Sequence, residues 1–175
     1  QSKNLRTYID LEDKIGRFYS NGAESYVQLP ENRYTCYIDE LKWDMRQQFL
    51  ELGDTSETAK GTEFVSSHPL QDSLSFFAKT AYYSLKDYVI HAGGVAKVEV
   101  ADATIFPDSG KVVVEKKAKM RTLENVIVKA NNLTEYHTFK NASITILAKN
   151  QYKGSGEYTY KDELHKEQTI FFNDI

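Results

Sequence analysis

The residue types best suited to chemistry stand together at Glu135-Tyr136-His137. A tyrosine and a histidine can serve as acid and base in the elimination of a polysaccharide, with a nearby cation stabilising the carboxylate of the substrate. Lys116, Lys119 and Arg121 are the candidates for that cation. This combination predicts a carbohydrate-active site in a loop, and the alternative is a solvated loop beside a charged surface.

Two aspartates offer a second catalytic hypothesis, because Asp102 and Asp108 have the residue type of a glycoside hydrolase pair. Against both hypotheses, the chain has no phosphate-binding loop, dinucleotide fingerprint, nucleophile elbow, calcium loop or closely spaced histidine pair. We therefore assign no catalytic residue, metal ligand or cofactor, and we expect a binding protein before an enzyme.

Aromatic side chains supply the candidate binding residues. They make up 13% of the chain, and 12 of them are tyrosines, whose rigid rings with polar tips suit partner recognition. Trp43 lies off the apolar stripe of its predicted helix, so it either packs against a β layer or forms a stacking platform for a sugar or a peptide. The candidate binding residues are Trp43, Tyr136, His137, Tyr158 and Tyr160.

Charge and cysteine content exclude some classes of partner. The net charge is −3 and no dense basic patch is present, so we expect no nucleic acid partner. The single cysteine, Cys36, rules out an internal disulfide framework and suits a small buried apolar position. No apolar run is long enough to span a membrane.

The spacing of apolar residues predicts an α+β fold. Intervals of three and four predict about three helices within residues 1–92, over 3–20, over 31–52 and after Pro69. From Val95 onward the period becomes that of strands, with a turn at Pro107-Asp108-Ser109-Gly110 and a hairpin over residues 157–172. We thus predict a helical region, 1–92, that packs on or caps a β region, 93–175.

Three short units repeat within the β region, and Asp102, Asn125 and Asn141 are their anchors. Each anchor is followed by Ala or Val, one further residue, and then Ile or Val. The units resemble coils of the parallel β-helix modules found in large secreted bacterial surface proteins, in which Asp and Asn occupy coil bends. The same pattern also fits consecutive strands of an irregular antiparallel sheet.

The resemblance implies a secreted or cell-surface location in a bacterial envelope. The chain begins with Gln1 and not with Met, so we expect a piece of a longer polypeptide with flanking domains. The predicted function is a non-catalytic structural or binding module, adhesin-like, whose partner is a glycan or another protein. The alternative is part of a polysaccharide lyase or hydrolase.

Overall fold

Antiparallel β-strands make up 62% of the residues that the computed structural model describes, namely 1–22, 24–53, 61–131, 137–161 and 165–175. No α-helix occurs in these ranges, and the helical turns are single 3-10 turns at Pro69–Gln71, Asp108–Gly110 and Lys116–Ala118. The strands are β1 Ser2–Lys3, β2 Leu5–Asp10, β3 Ile15–Ser20, β4 Tyr26–Leu29, β5 Tyr34–Tyr37, β6 Glu40–Asp44, β7 Phe49–Gly53, β8 Thr62–Ser66, β9 Ser75–Ala78, β10 Thr80–Ser84, β11 Val89–Gly93, β12 Val98–Val100, β13 Ala103–Phe106, β14 Val112–Val114, β15 Leu123–Ala130, β16 His137–Ala148, β17 Gln151–Lys161 and β18 Glu167–Phe172.

These strands form three sheets arranged as a two-layer sandwich. Sheet A has the order β1-β4-β5-β8-β9, sheet B the order β14-β11-β10-β7-β6-β3-β2, and sheet C the order β12-β13-β15-β16-β17-β18. Sheets A and C lie side by side in one layer, where β9 contacts β12, and sheet B forms the other layer. One continuous cluster of buried apolar residues draws on all three sheets and fills the space between the layers.

The chain builds this sandwich from hairpins placed alternately in the two layers. The hairpin β4–β5 is followed by β6–β7 in sheet B, and β8–β9 is followed by β10–β11 in sheet B. The strands β4, β8 and β12 begin at residues 26, 62 and 98, so their starts are 36 residues apart (62 − 26 and 98 − 62). The fold is therefore a structural repeat in which each unit adds strands to both layers.

Segment 115–122 crosses from sheet B to sheet C and holds the layers together at one end. The backbone N–H of Lys117 donates to the carbonyl of Glu31, and the buried Gln71 amide donates to the carbonyl of Ala118. The fully buried Asn32 makes a similar link, because its amide donates to the carbonyls of Tyr88 (2.7 Å) and Val114 (3.2 Å). These bonds fix the hairpin ends of the two layers relative to one another.

The predicted helices of residues 1–92 are wrong, because this region is entirely strands and turns where it is described. A four-residue turn joins β6 to β7, with Gln48 in the left-handed region (φ 60°). Leu41, Met45 and Phe49 follow one another at intervals of four residues across this turn. The same interval is typical of one face of a helix. Within the strands the true period is two, since Leu41 and Leu52 are buried inner-face residues and their neighbours are not.

The solenoid interpretation of the β region is also wrong, since no sheet closes into coils. Strands β13, β15 and β16 are antiparallel neighbours in sheet C, as the alternative interpretation of the repeat requires. Asn125 and Asn141 have positive φ (55° and 47°) at irregularities of strand register, so they occupy β-bulges. Asp102 lies in the tight turn between β12 and β13, beside Ala101 at φ 52°.

Other local predictions have mixed outcomes. Strands β17 and β18 pair antiparallel, which confirms the C-terminal hairpin, although residues 162–164 of its loop lie outside the described residues. The turn at Pro107–Gly110 is confirmed, as is the burial of Cys36. After β7, residues 54–60 lie outside the described residues, and the polar Thr62–Ser66 form strand β8. The described residues contain no helix long and apolar enough to cross a membrane.

Candidate functional site

The outer face of sheet B carries a row of side chains that runs across five strands. Strand register aligns Lys42 of β6 with Glu51 of β7, then Tyr82 of β10, His91 of β11 and Val113 of β14. Alternation along each strand turns these side chains outward, because their neighbours Leu41, Leu52, Ala81 and Ala92 face the buried core. The row is thus a direct product of the hairpin repeat.

A depression of about 750 Å³ lies along this row and is here called the outer trough. Its floor is low because two strands end in glycine, Gly53 of β7 and Gly93 of β11, on either side of Thr80. No described atom lies within 4 Å of the position that a Cβ on Gly53 would take. Glycine in a strand often marks a bulge, a bend, or a place where a ligand or another backbone approaches closely. The residues lining the outer trough are Glu40, Lys42, Glu51, Leu52, Gly53, Thr80, Ala81, Tyr82, His91, Ala92, Gly93, Lys111 and Val113.

The aromatic wall of the outer trough is Tyr82. Its ring lies 4.7 Å from the ring of Phe49 and 6.1 Å from the imidazole of His91, measured between centroids. Contact with the well-buried Phe49 supports the tyrosine ring from one side and leaves 41% of the residue exposed. Tyr82 therefore presents a positioned apolar surface with a polar tip to the trough.

The charges of the outer trough balance. Lys42 Nζ lies 3.1 Å from a carboxylate oxygen of Glu51, and Arg17 lies 4.0 Å from Glu40 at the rim. With Lys111 added, the lining has two lysines against two glutamates, together with the hydroxyls of Thr80 and Tyr82. Such a lining offers hydrogen-bond donors and acceptors without a net field that would select a strongly charged ligand.

The predicted binding residues occupy two other places. Trp43 is half-buried on the inner face of sheet B and packs against the core, which is the structural alternative that the sequence left open. Tyr158 and His137 come together on sheet C, with ring centroids 5.6 Å apart. Tyr160 is exposed on the same hairpin, and Tyr136 lies outside the described residues.

Tyr158 belongs to an aromatic cluster that the sequence did not predict. Its ring is 5.7 Å from Phe139 and 6.2 Å from Phe172, and Phe139 lies edge-on to Phe172 at 5.5 Å. The inner face of sheet C at strands β16, β17 and β18 therefore carries an aromatic patch. The patch consists of His137, Phe139, Tyr158, Tyr160, Ile170 and Phe172, and is called the C-terminal patch below.

The three cations considered for catalysis contact Tyr88 or Glu115. Lys116 lies over the ring of Tyr88, 4.6 Å from its centroid. Arg121 and Lys119 contact the carboxylate of Glu115 at 2.7 and 3.5 Å, and the hydrogen bond from Arg121 is the main cause that lowers the pKa of Glu115. Within the described ranges no three His, Cys, Asp or Glu side chains are grouped so as to hold a metal ion.

The outer trough was not predicted from the sequence, because the segment around Tyr82 was assigned to a helix whose end before His91 stayed open between helix and strand. The signal in Thr80-Ala81-Tyr82-Tyr83-Ser84 is weak, because the two adjacent tyrosines hide the alternation of exposed and buried side chains along the strand. Gly53 was interpreted as the end of a helix and Gly93 as the boundary of the helical region, and both are strand ends on one sheet face. No protein-family model matches the chain, and no similar curated protein or solved structure was found.

Proposed function

We propose that this protein is a non-catalytic binding module that takes an uncharged oligosaccharide in the outer trough. The observation that carries the proposal is the glycine floor beside a supported tyrosine ring. A sugar ring has an apolar face that stacks on an aromatic ring and a rim of hydroxyls that need donors and acceptors. The outer trough offers the ring of Tyr82 and a polar lining within one depression.

The length of the outer trough favours an oligosaccharide over a single sugar. It is bordered by residues of β6, β7, β10, β11 and β14. Five strands at the usual spacing span about 19 Å from the first to the last. A short glycan chain lying across the strands would reach from the Glu40 side to the Lys111 side.

The balanced charge favours a neutral glycan over a polyanion. Lys42 is already neutralised by Glu51, so the lining has no cation cluster of the kind that binds uronates or sulfates. Secretion or display on a cell surface, where such glycans are met, stays a prediction from the sequence.

The test is affinity electrophoresis through gels that contain soluble polysaccharides: a β-glucan, a xylan and a mannan as neutral probes, and alginate and polygalacturonate as anionic ones. We expect retardation by at least one neutral polymer and by neither anionic one. Tyr82→Ala should weaken that binding about tenfold, which corresponds to a buried contact of about 1.4 kcal/mol.

Tyr37→Ala is the matched control. Tyr37 has a similar exposure, 44% against 41% for Tyr82, and lies on sheet A away from the outer trough. We expect this variant to bind like the wild type. Equal loss in both variants, or binding of the polyanions alone, would rule out a neutral glycan in the outer trough.

A further inference from the structure

The hairpin repeat of the sandwich is interrupted at one point. Successive hairpins pair through β5 and β8 in sheet A, and through β7 with β10 and β11 with β14 in sheet B. The corresponding pair in the other layer would be β9 with β12, but no backbone hydrogen bond joins these two strands in the part of the chain that the structure describes. Sheets A and C therefore meet at two free strand edges.

Strand register shows which backbone groups of β9 point towards β12. The N–H of Ser66 donates to the carbonyl of Leu74, which continues the register that pairs Val65 with Ser75. Successive residues of an antiparallel strand direct their backbone groups to opposite sides. The N–H and C=O groups of Ser75 and Phe77 therefore point away from β8, and no described backbone group bonds them on that side. The edge of β9 is thus open to a further strand.

A depression of about 560 Å³ lies along these two edges and is here called the inter-sheet groove. One wall is formed by β9, where 38% of Phe77 is exposed, and the other by the segment that leads into β12. The groove lies in the layer opposite to sheet B, so it is separate from the outer trough. The residues that line it are Ser75, Phe76, Phe77, Lys79, Gly94, Ala96, Lys97, Glu99 and Lys149.

One end of the inter-sheet groove is already bridged by backbone from a third segment. Lys149, in the turn between β16 and β17, donates its N–H to the carbonyl of Gln71, which precedes β9 (3.1 Å). Its carbonyl accepts from the N–H of Ala101, which follows β12 (2.7 Å). At this end one main chain therefore bonds to both sides. The four residues of β9 beside the rest of the groove span about 13 Å, which matches four residues of an extended peptide.

The inter-sheet groove is positively charged. Its lining holds three lysines and one acidic residue, Glu99, which forms an ion pair with Lys97. The other two, Lys79 and Lys149, are exposed and form no ion pair with a described residue. Gly94, at φ 66°, leaves room for the stem of Lys79, because a Cβ there would lie 2.8 Å from the Cβ of Lys79. This charge favours an occupant with acidic side chains.

We propose that the inter-sheet groove binds an extended, acidic peptide segment of a partner protein, which pairs with the free edge of β9 as an added strand. Main-chain hydrogen bonds to Ser75 and Phe77 supply the affinity in this mode of recognition, and side-chain contacts supply the specificity. The lysines of the groove select acidic side chains, and the exposed ring of Phe77 offers an apolar contact beside them.

The test is fluorescence polarisation with a labelled peptide of eight residues that alternates glutamate with valine. We expect saturable binding that weakens as salt is added, because salt screens exposed charges. The same peptide with methylated backbone nitrogens keeps its charges but cannot donate to a strand edge, so its binding should be at least tenfold weaker. Absence of saturable binding, or equal binding of the methylated peptide, would overturn the proposal.

A charge swap tests the role of the lysines. Lys79→Glu combined with Lys149→Glu leaves one lysine and three glutamates in the groove. This variant should bind the glutamate peptide at least tenfold more weakly, and should bind instead a peptide that alternates lysine with valine. Lys14→Glu combined with Lys86→Glu is the matched control, because it changes the net charge equally in two turns of sheet B. An equal loss in the control would assign the attraction to net charge and overturn the proposal.

Hydrogen exchange locates the bound peptide on the protein. The amides of Ser75 and Phe77 should exchange at least tenfold more slowly in the complex, and unchanged exchange at both would contradict strand addition. Alginate should not displace the peptide, because it has no amide groups to pair with a strand edge; displacement would reassign the groove to polyanions. Tyr82→Ala should bind the peptide like the wild type, so failure of glycan binding in the outer trough would leave this result unaffected.

Discussion

A side chain added at the floor of the outer trough should weaken ligand binding and raise the stability of the fold. Gly53 lies on the outer face of β7, and a Cβ there would meet no described atom within 4 Å. The substitution Gly53→Val therefore adds a branched side chain to the floor, at a position where its Cβ contacts no described atom. It also replaces the residue with the largest backbone entropy by one that favours strands.

Two effects of opposite sign follow. The free energy of unfolding should rise by about 0.5–1 kcal/mol, and Tm by roughly 1–4 °C for a chain of this size. Binding of the neutral polysaccharide that best retards the wild type should weaken tenfold or more, since the sugar can no longer approach the floor. Gly53→Ala should show an intermediate loss.

Differential scanning fluorimetry and affinity electrophoresis on the same samples measure both effects. A raised Tm with unchanged binding would mean that the glycan does not enter the outer trough. A lowered Tm would contradict the open position at Gly53 on which the reasoning depends.

Three further predictions concern the fold. Asn32→Ala should lower the free energy of unfolding in urea by about 1–3 kcal/mol, because the carbonyls of Tyr88 and Val114 lose their donor; an unchanged urea midpoint would show that this link between the layers adds nothing. Asn125→Val should cost about 1–2 kcal/mol at its positive φ while Asn125→Gly stays near neutral, and equal costs in thermal denaturation would argue against the bulge. Burial, with smaller contributions from nearby acidic groups, raises the pKa of Tyr83 from 10.0 to about 12. Between these two values the unfolded state releases the Tyr83 proton first, so the free energy of unfolding falls as the pH rises from 10 towards 12. Tyr83→Phe should make that fall shallower in urea titrations, and an unaltered slope would contradict it.

The sequence predicted the strands that are bounded by strong turn chemistry. Val98 and Val100 are buried on either side of the exposed Glu99, as the period of two requires. The Pro107–Gly110 turn and the β17–β18 hairpin were also recognised, because proline, glycine and alternating side chains determine such structures locally. These features needed no information from distant parts of the chain.

The first half was misassigned because tight hairpins carry a misleading period. A turn of four residues between two paired strand ends, as from Asp44 to Phe49, produces intervals of three and four that match a helix. The positive φ of Gln48 and Tyr88 that makes these turns possible carries no glycine signal. The 36-residue spacing of β4, β8 and β12 could not be recognised in the sequence, because the repeated units share the positions of their strands and not their residues.

The candidate site could not be predicted from the sequence, for a related reason. Gly53, Tyr82 and His91 are brought into one depression by the order of strands in sheet B, which the local pattern does not encode. Of the aromatic residues that were selected from the sequence, those that the structure describes lie on the inner faces of the sheets, where Trp43 packs on the core and Tyr158 joins the C-terminal patch.

Backbone amide chemical shifts during titration with an oligosaccharide give the most direct test of the central claim. The oligosaccharide would be prepared from the neutral polysaccharide that retards the wild-type protein. We expect the largest shifts on Gly53, Thr80 and Gly93, with saturation transfer from the ring of Tyr82 to the sugar. Shifts confined to the C-terminal patch, or no shifts in any strand of sheet B, would contradict it.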